Sequence, residues 1–145
     1  MSQSSDEAIQ MQAEARQELA ASLAHIPGGR DLIEWFEGAP EFGDAEIVGL
    51  LLDRRGPSRL SIALDCRGKR AVVIFEMAAW IDVEMRGFSG QNVIGSLKLR
   101  RADEREIKPW ELGVGCQPGE WLIELGPCFG AYGTIRADIA RIVID

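Results

Sequence analysis

The sequence predicts a mainly β (α+β) fold, an antiparallel curved sheet or two-sheet sandwich with N-terminal helices. Three observations carry that expectation. The hydrophobic period changes from helical to two at Asp44. Leu60, Ile62 and Leu64 then alternate with Ser61, Ala63 and Asp65, and Ile81, Val83 and Met85 with Asp82, Glu84 and Arg86. Such alternation belongs to half-buried strands, because successive side chains leave opposite faces. Turn-forming Gly, Pro, Asn and Asp residues separate the apolar runs.

The first helix is expected from Asp6 to about Ala24, a stretch rich in Ala, Gln, Glu and Leu. Ser4 and Glu7 are spaced as a capping box at its start. Met11, Ala15, Leu19 and Leu23 recur every four residues and form a narrow apolar stripe, suited to light packing on the domain or to a homodimer contact. Pro27, Gly28 and Gly29 end the helix. A second, short helix is expected to open at Asp31, with Glu34 as its capping partner, and to stop at Gly38-Ala39-Pro40. Residues 1–28 therefore read as a helical extension and 29–145 as one β-rich domain.

Ala45 to Arg54 contains Leu50-Leu51-Leu52, which suggests a strand covered on both faces, and Arg55-Gly56-Pro57-Ser58 turns it back into the Leu60 strand. Further strands are expected at Ala71–Met77, Val93–Arg100 and Trp121–Leu125. The C-terminal stretch fits a helical stripe as well as a strand. Its β-branched ending, Ile142-Val143-Ile144, favours a strand, with a bulge near Ala140 to reset the phase.

Composition limits the function. With 145 residues, 46% hydrophobic and 27% charged, the chain is long enough and apolar enough for one packed core. A net charge of −7 with scattered basic residues disfavours nucleic acid and anionic membranes, and favours a basic protein partner. The longest apolar runs, 47–52 and 71–75, fall far short of the roughly 20 residues that a spanning helix needs. Met1 to Glu18 is polar and acidic and has no export signal, so the expected location is the cytoplasm. Cys66, Cys116 and Cys128 are odd in number and widely spaced, as reduced, mostly buried thiols would be.

The residues for familiar catalysis are missing. The single histidine, His25, lies beside a helix end, where contact with the last carbonyls is the ordinary role. No paired Cys or His spacing suits zinc, and the Gly-rich segment Gly126–Gly133 lacks both the lysine and the helix of a phosphate loop. We therefore expect no catalytic residue, no cofactor and no metal. A hydrolase using two carboxylates would require a cleft in which they converge. The alternative use for the acidic run is a partner-binding patch, in which Glu37, Glu41, Asp44 and Glu46 steer a basic protein and Trp35 anchors it. In an extended segment Asp44 and Glu46 share one face.

Three segments also carry a family resemblance. They are Phe42-Gly43-Asp44-Ala45-Glu46-Ile47 with Leu50-Leu51-Leu52-Asp53-Arg54, Gly87-Phe88-Ser89-Gly90-Gln91-Asn92-Val93-Ile94, and Gly126-Pro127-Cys128-Phe129-Gly130 with Gly133. In this order they resemble the family of bacterial β-rich proteins known as immunity protein 50, over roughly Trp35 to Asp145. Gly43 stands where relatives often carry a histidine, so no role of that histidine carries over. The resemblance implies a small cytosolic protein that neutralises a cognate toxin by protein–protein contact, without catalysis. The other expectation is a structural or homo-oligomeric domain.

Overall fold

The computed structural model describes residues 3–102 and 120–145. Cys116 lies outside the described residues, and the side chain of Ser4, half of the expected capping box, is likewise not described. Two helices, α1 (Gln3–Leu23) and α2 (Gly29–Phe36), precede six strands: β1 (Glu46–Leu51), β2 (Ser58–Cys66), β3 (Lys69–Arg86), β4 (Val93–Arg101), β5 (Glu120–Phe129) and β6 (Tyr132–Ile144). Among the described residues every strand pairing is antiparallel. The mainly β class read from the alternation is the fold observed. The curved sheet goes one step further and closes into a barrel in the order β1-β2-β3-β6-β5-β4.

Closure needs curvature, and the register shifts provide it. Val48 is skipped in the β1–β2 pairing and Gly95 in β4–β5, while β3–β6 skips Ala78, Ile81 and Ala140. Each extra residue bends and twists its strand. The bulge expected near Ala140 lies at Ala140. The segments read as separate strands at Ala71–Met77 and Ile81–Met85 are one bent strand, β3, because bulges absorb the change of phase that otherwise looks like a strand end.

Inward-facing Leu60, Ile62, Val73, Phe75, Ile123 and Ile135 are fully buried and fill the interior, as expected for a small barrel. The helical segment joins the same core through Leu19, Leu23, Ile26, Leu32 and Phe36. Phe42 links the two parts, with its ring 5.7 Å from Phe36 and 6.5 Å from Phe75. No helix among the described residues is long and apolar enough to cross a membrane.

Three local expectations need correction. Leu51 and Leu52 are exposed, 47% and 38%, so β1 is not covered on both faces. The triple leucine outlasts the strand, and only Ile47 and the half-buried Leu50 pack on the core. Helix α2 starts at Gly29, and its N-cap, Gly28, has no side-chain cap. Gly28 takes a left-handed φ of 85°, and a Cβ there would lie 1.9 Å from the Ile142 carbonyl oxygen. The helix start is thus set by close docking on β6, where Ile142 donates its N–H to the Pro27 carbonyl at 2.8 Å, and not by an Asp31–Glu34 box. Finally, Cys128 is exposed where a buried thiol was expected, because it sits near the end of β5; Cys66 is half-buried against the core.

Candidate functional site

The segment from Trp35 to Glu46 leads from α2 into β1, and the fold distributes its acids instead of gathering them. Glu37 caps α2 in a left-handed conformation and faces Arg67 at 3.9 Å. Glu41 accepts a hydrogen bond from Arg16 Nε on α1 at 2.9 Å and another from the Gly43 N–H at 2.7 Å. Trp35 packs edge-on against Phe36 at 5.0 Å. Lys69 Nζ lies 5.0 Å from the Trp35 ring and donates to the Trp35 carbonyl at 2.6 Å. These three residues are engaged within the molecule at separate places.

Asp44 and Glu46 do meet. Both line an open groove of about 560 Å³ with Ala63, Leu64 and Asp65 of β2, Arg70, Ala71 and Val72 of β3, and Asp145. Four acidic residues and one arginine thus line the same groove. Arg70 Nε stands 3.5 Å from Asp65, both well exposed, so that pair is screened by water and contributes little. The groove is built on firm backbone. Asp44 has φ 67°, a left-handed conformation that aspartate tolerates better than most residues. Its N–H donates to the Ile94 carbonyl at 2.9 Å, while Ala45 donates to the Phe42 carbonyl at 3.0 Å. On the far wall, Val72 and Asp145 exchange backbone hydrogen bonds of 3.0 and 2.9 Å.

Sequence reading found Asp44 and Glu46 and missed Asp65, Arg70 and Asp145. Alternation marks Asp65 as outward-facing and the β1–β2 hairpin carries it beside the β1 entry, whereas Asp145 arrives only through the long-range β2–β3–β6 pairing. No local pattern carries that information.

The remaining chemistry-bearing residues stay apart. His25 is exposed in the turn after α1, and its backbone N–H, not its ring, bonds the Ser22 carbonyl at 3.1 Å. Among the described residues, no cluster of three or more His, Cys, Asp or Glu side chains is arranged to hold a metal ion.

The resemblance motifs at Gly87–Ile94 and Gly126–Gly133 are joined through Asn92. Its side-chain oxygen accepts the N–H groups of Ser89, at 2.9 Å, and of Ala131, at 3.0 Å, while its amide nitrogen donates to the Ser89 carbonyl at 3.0 Å. Gly130, at φ 84°, lets the two segments touch, since a Cβ there would meet the Gln91 carbonyl oxygen at 2.4 Å. Phe88 and Phe129, one on each segment, are left exposed.

Compared with known protein families, curated proteins and solved structures, the chain matches none.

Proposed function

We propose that this chain is a non-enzymatic binding protein of the immunity type, acting in the cytoplasm on a basic partner such as a cognate toxin. The observation that carries the reading is the groove in which Asp44, Glu46, Asp65 and Asp145 oppose a single arginine. On a chain of net charge −7, such a concavity focuses a negative field outward and raises the encounter rate with a cationic surface. A partner lysine or arginine entering it would meet carboxylates already held by the sheet, at little ordering cost. The apolar filling of the barrel supports the same reading, because it leaves the outer surface as the place to act.

The test is retention of the products of adjacent genes by the full chain, followed by association kinetics with Asp44→Lys and Glu46→Lys together. Charge reversal is expected to lower the on-rate by about tenfold at low salt, and the difference should shrink as salt is added. Failure to retain any protein defeats the binding reading. Retention with unchanged on-rates defeats the groove as its site.

A further inference from the structure

The barrel closes through a short seam. β1 and β4 pair only at Glu46 and Val93, supported by backbone bonds between Ile94 and the 44–45 segment and between Ile47 and Asn92. Beyond Ile94, β4 continues to Arg101, paired with β5 on one side. The direction of its amides follows from alternation. Ala102 donates its N–H to the Glu120 carbonyl at 3.1 Å on the β5 side, so the odd-numbered Leu97 and Leu99 turn theirs to the opposite edge. The bulge at Gly95 accounts for the switch of parity after Ile94. Among the described residues, no strand pairs with that edge.

Helix α1 lies along it instead, and lies loosely. Leu19 and Leu23 are buried, whereas every residue from Ser5 to Glu18 is exposed, with Met11 at 68%. Two gaps of about 300 and 250 Å³ separate α1 from β4, both lined by Met11, Ala15 and Leu19. The ion pair of Arg16 with Glu41 is what ties this half down, and both side chains are nearly half exposed. Such a tie is screened by water and holds weakly.

We infer that the free edge of β4 is a strand-addition site for an extended segment of a partner protein, covered in the unbound state by residues 11–19 of α1. The occupant must be extended backbone, because the groups left unmatched among the described residues are main-chain N–H and C=O in the strand repeat, which a helix cannot match. Its side chains should alternate between apolar and acidic. The Leu97 and Leu99 side chains face the core, while Lys98 faces the gap that Glu14 and Glu18 of α1 also line; Arg100 lines the same gap and pairs with Glu124 of β5 at 3.4 Å. Carboxylates on an added strand would replace those of the displaced helix. This site is separate from the acidic groove and does not depend on it.

The test uses the full chain and a short synthetic peptide of alternating valine and glutamate, read by amide hydrogen exchange. Peptide binding is expected to slow exchange at Leu97 and Leu99 by about tenfold or more, while a proline-interrupted peptide of the same composition has no effect. Arg16→Ala, which frees the cover, should strengthen that protection at a fixed peptide concentration. The inference is overturned if neither peptide changes exchange at these two amides in either protein. It is equally overturned if both amides are already as protected as the barrel core without peptide, or if they gain protection with protein concentration alone, which would make the occupant a second copy of this chain.

Discussion

Arg136 Nε donates to Glu120 Oε2 at 3.2 Å across the β5–β6 pairing, and both residues are buried, 2% and 7% exposed. The register also sets Asp82 of β3 opposite Arg136, so the guanidinium lies on a strand flanked by acidic neighbours. Removing Arg136 strands the Glu120 carboxylate away from water. Arg136→Ala is therefore expected to destabilise the protein by about 3–5 kcal/mol, and Glu120→Ala by less because Arg136 has further contacts, both measured by urea unfolding. The double variant should lose less than the sum of the two, with a coupling of about 1–3 kcal/mol. Additive losses would remove the pair from the account of stability.

Asn92 is the clasp between the 87–92 loop and the β5–β6 turn. Asn92→Ala deletes two accepted bonds and one donated bond, and is expected to cost about 1–3 kcal/mol and to speed exchange of the Ala131 amide. Asn92→Asp keeps the acceptor and should recover most of the loss at neutral pH. Equal losses in the two variants would mean that the hydrogen bonds to Ser89 and Ala131 are not what matters.

The stripe of Met11, Ala15, Leu19 and Leu23 divides sharply. Leu23→Ala opens a cavity in the core and is expected to cost about 2–5 kcal/mol, whereas Met11→Ala on the exposed half should change stability by less than about 0.5 kcal/mol. Thermal unfolding of the two variants side by side checks this. A large loss at Met11 would show that the N-terminal half of α1 is packed, and would also weaken the idea of a movable cover over β4.

The same stripe marks the limit of what the sequence reveals. Its period identifies the helix and its apolar side, but Met11 and Leu23 are equivalent within that pattern and differ only by what lies beneath them. Strand placement was legible because alternation is local, down to the bulge at Ala140. Closure of the barrel was not, since a single seam between Glu46 and Val93 distinguishes it from an open curved sheet. The acidic site shows the same division: Asp44 and Glu46 stand out in the chain and Asp65 comes beside them in the β1–β2 hairpin, while Asp145 joins only through the pairing of β3 with the distant β6.

Glu76 and Arg141 face each other across β3 and β6, with two hydrogen bonds from the guanidinium to the carboxylate. The hydrogen bonds from Arg141 hold the Glu76 carboxyl below its ordinary range against the opposing effect of burial, and the charges of Arg141 and Arg59 add to the lowering. A carboxyl whose folded pKa is lowered stabilises the native state above its unfolded pKa, about 4.3, and that contribution disappears as pH falls through the lower folded value. The partner's change runs the other way: Arg141 is raised by the same contact and stays protonated throughout, so it adds no slope near neutrality. The stability difference between wild type and Glu76→Gln is therefore expected to hold constant from pH 8 to about pH 5 and to shrink below about pH 4. Urea midpoints measured across that range decide the matter: a difference that persists unchanged at the acid end would mean that the carboxylate charge contributes nothing there, and that Gln differs from Glu at this site through shape alone.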